Sequence, residues 1–169
     1  MAINRNISTQ KPRWVKSRIP KGKNYIGLKK NLREKNLHTV CEEAGCPNIG
    51  ECWGARTATM MVLGDTCTRA CKFCNVKTGN PQGFVDKQEI ENAAKMVDTM
   101  NLRYLVITSV DRDDLEDYGA GHFADIVNEV HRRHPDVKVE VLIPDFHGEE
   151  KHMHTLAQSR PFVIAQNIE

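Results

Sequence analysis

From Thr57 onward short apolar runs of β-type residues alternate with amphipathic helical periods, and this alternation constrains the fold more than any other feature of the chain. The run starting at Thr57 is apolar and stops at Gly64. Asp86-x-x-Glu89 reads as a capping box opening a helix whose apolar positions Ile90, Ala93, Ala94, Val97 and Met100 recur every three to four residues. Tyr104 to Ser109 reads as a buried strand, followed by an acidic loop and a helix carrying Phe123, Ile126, Val127 and Val130. Val137 to Ile143 supplies a third strand, Met153, Leu156 and Ala157 mark a third helix, and Phe162 to Ile168 a fourth strand. Four strands alternating with three helices imply a parallel sheet with right-handed crossovers. The expected fold class is therefore α/β, an incomplete parallel (β/α) barrel whose chemistry gathers past the C-terminal ends of its strands. The last strand, Phe162 to Ala165, is expected to present an uncovered apolar edge that invites aggregation.

At 169 residues the chain has the size of one domain or of a piece of a larger one. With 40% hydrophobic and 27% charged residues, Gly 11 and Pro 7, a disordered or low-complexity chain is excluded. Nothing approaches the roughly 18 apolar residues of a membrane helix, and the N-terminus lacks the apolar core of a secretory signal, so no membrane role and a soluble, cytoplasmic protein are expected. The net charge of +2 conceals an asymmetry: residues 1–40 carry eleven Lys/Arg against the single acid Glu34, whereas residues 41–169 carry thirteen against twenty-one acids. A basic arm on an acidic body suggests attraction to something anionic or a solvated tail. No aromatic RNA-binding signature accompanies it, so no nucleic-acid partner is expected. The acid-free first 33 residues suit a transit peptide, but Pro12 and Pro20 interrupt the helix one needs. Residues 1–55 are expected to form a basic extension bearing the first cysteines, and residues 56–169 the partial barrel.

The six cysteines fall in two runs of three, Cys41, Cys46 and Cys52, then Cys67, Cys71 and Cys74. So few cysteines with no export signal argue against a disulfide framework and for metal. Zinc sites usually draw four ligands from paired knuckles, whereas each run here offers three. Three thiolates suit an iron–sulfur cluster with one iron left open, and Cys67-x3-Cys71-x2-Cys74 brings them onto one loop; zinc stays open at this point.

Cys67-Thr-Arg-Ala-Cys71-Lys-Phe-Cys74 resembles the CxxxCxxC signature of radical S-adenosylmethionine enzymes. Segment 37–53, with CxxxxCxxxxxC at Cys41, Cys46 and Cys52, is similar to the narrower auxiliary-cluster motif of the lipoyl synthase family. Segments 19–24, 64–69, 108–115, 140–146 and 167–169 add to the resemblance, which runs from about Lys11 to Glu169. The resemblance implies insertion of sulfur at carbons 6 and 8 of an octanoyl group amide-linked to a carrier lysine. Alkyl C–H bonds lie far outside the reach of side-chain bases, so a radical cofactor must break them. Cys67, Cys71 and Cys74 would be catalytic as holders of a 4Fe-4S cluster that binds S-adenosylmethionine and yields a 5'-deoxyadenosyl radical. Cys41, Cys46 and Cys52 would hold a second 4Fe-4S cluster, the sulfur donor. Implied partners are octanoylated carrier domains, meaning E2 subunits of 2-oxoacid dehydrogenases and the glycine cleavage H protein, together with flavodoxin or ferredoxin as electron donor and an iron–sulfur carrier protein.

Other residues are weighed against plainer roles. Ser109 and Asp111, with Asp113 and Asp114, follow the second strand and could receive the ammonium of S-adenosylmethionine; the alternative is a solvated loop with a helix-capping Asp. Asn167 and Glu169 could reach the ribose. Phe73 could shield the cluster or contact adenine, or pack in the core, and Arg69 could stabilise a reduced cluster or lie on the surface. His147, His152 and His154 are expected to be solvent-exposed. The family continues through two further strands and a C-terminal serine ligand that this chain lacks, so a fragment or truncated gene product, or one piece that needs a complementing partner, is expected. The rivals are a biotin-synthase-like sulfur-inserting enzyme and a non-catalytic iron–sulfur or zinc binding module.

Overall fold

A computed structural model describes residues 23–34, 39–43, 46–72, 74 and 76–167. Three helices lead, α1 (Lys23–Glu34), α2 (Val40–Glu43) and α3 (Ile49–Gly54). Strand β1 (Thr57–Val62) follows, then a two-residue pair β2 (Thr66–Cys67) and β3 (Lys77–Thr78), then α4 (Gln88–Met100), β4 (Tyr104–Ser109), α5 (Ala120–Arg133), β5 (Lys138–Ile143), a 3-10 turn (Phe146–Gly148), α6 (Glu150–Gln158) and β6 (Val163–Gln166). The main sheet has the order β1-β4-β5-β6, and each neighbouring pair is parallel. This is the α/β alternation expected of a partial (β/α) barrel.

Strand burial explains why those segments form a sheet. Along β1, Ala58, Met60 and Val62 are buried, along β4 Leu105 and Ile107, and along β5 Val139, Val141 and Ile143, while the intervening residues are half-buried or exposed. Period-two alternation sends the first set into one core with Ala93, Met96 and Val97 of α4, Phe123, Ile126, Val127 and Val130 of α5, and Leu156 of α6. Leu32, Ile49 and Trp53 of the leading helices join that core, and α2 and α3 pack against β1.

Several local expectations need correction. Glu89 does not complete a capping box; its carboxylate accepts the N–H groups of Leu63 at 2.8 Å and Gly64 at 3.2 Å, and its Oε2 lies 2.8 Å from His122 Nε2. Unpaired backbone groups at the end of β1 outcompete the helix's own first turn for that carboxylate. The face of α6 is rotated from the expected one: Met153 and Ala157 are exposed, whereas His152, Leu156 and Ser159 are buried. His152 therefore is not solvent-exposed; it packs edge-on against Tyr118, and Phe146 lies beside it. The third and fourth strands are shorter than expected, Lys138–Ile143 and Val163–Gln166. Phe162 and Ile164 are exposed, as expected for the last strand. Among the described residues no helix is long and apolar enough to cross a membrane.

Candidate functional site

The chain leaves β1 through Leu63 and Gly64, both left-handed at φ 66° and 89°. This reversal carries Thr66 and Cys67 into the short ladder with Lys77 and Thr78, so that Cys67 lies opposite Thr78 and its carbonyl accepts the Gly79 N–H at 2.9 Å. The described residues between these two strands therefore lie beyond the C-terminal edge of the sheet, beside Ser109, Asp111 and Asn167. Cys74 donates its N–H to the Cys71 carbonyl at 3.0 Å, and Val76 N–H points at Cys74 Sγ at 3.5 Å. None of the six cysteines is in a disulfide.

Cys67, Cys71 and Cys74 line one cavity of about 310 Å³ together with Met61 of β1, Thr108 and Ser109 at the end of β4, Asp111, and Asn167 after β6. Cys67 is buried, and its sulfur accepts N–H groups from Asp111 at 3.3 Å and Arg69 at 3.4 Å. Burial pushes its thiol upward in pKa; the two N–H groups act in the opposite direction and the Asp111 carboxylate adds to the rise. Ser109 Oγ is buried and finds no hydrogen-bond partner among the described residues. Asp111 lies 3.6 Å from Arg69 Nη1.

Around this cavity Arg69 ties three strand ends together. Its guanidinium donates to Asp113 through Nε and Nη2 and to Asp145 at 2.9 Å. His147 Nε2 lies 2.8 Å from Asp113, and the His147 ring stacks on Tyr118. Asp113 also accepts from the Thr68 hydroxyl at 2.9 Å. The Arg69 guanidinium holds the Asp113 carboxyl, and likewise Asp145, well below the usual carboxylate range. Asp113 is thus engaged with the protein, and Asp114 with Arg112 and the Gly83 N–H. Neither lines the cavity, in contrast to Ser109, Asp111 and Asn167. Phe73 and Glu169 lie outside the described residues.

The second triad sits on α2, α3 and the connection between them. Cys46 donates its N–H to the Cys41 carbonyl at 3.0 Å, and Cys52 donates to Asn48 at 3.0 Å. The Cys52 thiol is raised by burial and then by the neighbouring Cys41 and Cys46 thiolates, so the three sulfurs share one electrostatic environment. Val40, beside Cys41, lines the first cavity, which places the two triads on adjacent structure.

Among the described residues no three His, Cys, Asp or Glu side chains converge on a single-ion position. A cuboidal cluster needs the opposite arrangement, with thiolates ranged around a volume so that each meets a different iron. Three cysteines on the wall of one cavity, one of them a buried sulfur already receiving N–H groups, supply three donors of the type such a cluster takes. Arg112 and Glu89, which shape the loop stems, escaped sequence reading. The one available signal for Arg112 was a lone cation inside the acidic run Asp111 to Asp114 directly after an apolar strand.

Residues 2–46 match the family described as the N-terminal domain of lipoyl synthase of the radical SAM family, and residues 61–169 match the radical SAM superfamily. The chain is 53% identical over 163 residues to a lipoyl synthase of Thermus thermophilus, covering 96% of this chain and 50% of that protein. It is 52% identical over 160 residues to one of Marinobacter nauticus, covering 95% and 46%, and 51% identical over 166 residues to one of Halobacterium salinarum, covering 96% and 53%. The chain spans about half the length of the curated relatives it matches.

Proposed function

The chain belongs to the radical S-adenosylmethionine superfamily and, within it, to the lipoyl synthase family, and from that membership we propose that it provides the cluster-bearing half of an enzyme inserting sulfur at C6 and C8 of a protein-bound octanoyl group. The observation that carries the reading is the lining of one cavity at the C-terminal edge of a parallel sheet by Cys67, Cys71 and Cys74, with a second cysteine triad on helices packed against β1. The family uses 4Fe-4S clusters and S-adenosylmethionine, which when bound supply the power to abstract hydrogen from an unactivated C–H bond.

In this reading Cys67, Cys71 and Cys74 hold the radical-generating cluster, and Cys41, Cys46 and Cys52 hold the sulfur donor. The N–H groups of Arg69 and Asp111 draw charge from the Cys67 sulfur and tune the potential of what it binds. The Ser109 hydroxyl and Asp111 carboxylate receive the ammonium of S-adenosylmethionine, while Asn167 and Glu169 serve its ribose and Phe73 its adenine. Met61, Val76, Val110 and Val40 wall the cavity and keep water from the reacting atoms. Residues 1–55 act as the auxiliary extension and 56–169 as the barrel. Octanoylated E2 subunits and the glycine cleavage H protein are the substrates, flavodoxin or ferredoxin the reductant, an iron–sulfur carrier the source of clusters, and the cytoplasm the compartment. Lys11, Arg13, Lys16, Arg18, Lys21 and Lys23 steer acidic carrier domains by charge; the first five lie outside the described residues.

The test is anaerobic reconstitution followed by incubation with S-adenosylmethionine, a reductant and an octanoylated carrier peptide. Release of 5'-deoxyadenosine, abolished in Cys71→Ala, is the expected result. Stable iron binding with no 5'-deoxyadenosine under any reductant would favour the non-catalytic binding module instead.

A further inference from the structure

Among the described residues Arg112 is the largest fully buried side chain, at 1% exposure, and it is not part of the cysteine cavity's lining. Its Nη1 donates to the carbonyl of Leu63 at 3.0 Å, and its Nη2 donates to the carbonyl of Phe84 at 2.8 Å. Nε and Nη2 grip the two oxygens of Asp114, both at 2.8 Å. Asp114 in turn accepts the Gly83 N–H at 2.7 Å. Leu63 and Phe84 are the residues on either side of segment 64–83, which carries all three cavity cysteines. The Arg112–Asp114 fork therefore fastens both stems of the cysteine loop to each other and to the end of β4.

Burying a guanidinium is expensive, and an apolar side chain of similar volume often stabilises as well or better. What an apolar side chain cannot do is hold two carbonyls from distant parts of the chain at a fixed separation, as the rigid planar fork does. The loop needs such a device. Its internal ladder is two residue pairs long, and closing a loop of this length by chance carries an entropy cost that a ligand would otherwise have to meet. Arg112 also directly follows Asp111, whose N–H contacts the Cys67 sulfur and whose carbonyl accepts the Thr68 N–H at 3.0 Å. One rigid unit thus reaches the loop stems on one side and the first cavity cysteine on the other.

We propose that Arg112, braced by Asp114, is a positioning residue that clamps the stems of loop 64–83 and so presets the spacing of the Cys67, Cys71 and Cys74 thiols before any cluster is loaded. The loop's role as a cluster holder rests on the function proposed above; the clamp itself does not. Amide hydrogen exchange by mass spectrometry on the metal-free chain, comparing wild type with Arg112→Lys and Asp114→Asn, separates the two. Lysine keeps the charge but cannot span both carbonyls, so peptides from 64–83 should exchange at least about tenfold faster while β4, β5 and α5 keep their protection. Against a background of Cys41→Ser, Cys46→Ser and Cys52→Ser, iron retained after gel filtration should fall at least threefold in Arg112→Lys. Unchanged exchange in the loop, or protection lost evenly across the sheet, would overturn the clamp. Should Arg112→Lys fail to fold, the isosteric Asp114→Asn decides by the same two readouts. A wild-type chain that binds no cluster would overturn the proposed function and leave the exchange comparison intact.

Discussion

Cys67 shows how much of the site is prepared by backbone alone. Its sulfur is buried beside a carboxylate, which raises the thiol, and accepts two N–H groups, which oppose the rise. Cys67→Ser should remove one cluster and leave the other, so that iron after reconstitution drops from about eight to about four per chain, as chemical analysis would show. Asp113 supports a second prediction. Arg69 first, then His147 and Thr68, hold its carboxyl below its unfolded value, so its stabilising effect is complete above about pH 4 and is lost as pH falls further. Thermal unfolding between about pH 5 and pH 2 should therefore show a shallower acid decline in Asp113→Asn than in wild type. The cysteines were legible because metal-ligand spacing survives in one dimension. The partners of Asp113 were not, because Arg69 and His147 follow other strands and meet it only through the fold.

Elements were legible where periodicity is long. The four strands and the three helices between them follow from period-two and period-3.6 patterns, and β4 matches its expected bounds of Tyr104 to Ser109. The pair β2–β3 offers two residues per strand, too few for any pattern. Helix α6 was misread because His152, polar in sequence, takes the buried face beside Leu156. Leu156→Ala should cost about 2–5 kcal/mol and Met153→Ala within about 0.5 kcal/mol, by denaturant unfolding. The start of α5 carries a sharper constraint. Gly119 has φ 88°, and a Cβ there would run into the Leu63 side chain at the stem of the cysteine loop. Gly119→Ala should therefore destabilise by about 2 kcal/mol or more, and cluster uptake should weaken with it.

For the molecule as a whole, the leading helices and the sheet share one apolar core, and Val40 of α2 lines the cavity of the first triad while its neighbour Cys41 belongs to the second. That adjacency is what a reaction needing both a hydrogen-abstracting centre and a sulfur donor requires of its scaffold. Under the proposed function, neutralising Lys11, Arg13, Lys16, Arg18, Lys21 and Lys23 together should flatten the salt dependence of carrier binding measured by titration. In the proposed function each triad holds its own cluster, and iron and sulfide per chain, with Mössbauer spectra, on protein reconstituted without oxygen, decide whether it does. About eight irons and eight sulfides with the signature of two 4Fe-4S clusters is the predicted result; about four irons, or zinc in their place, would contradict it.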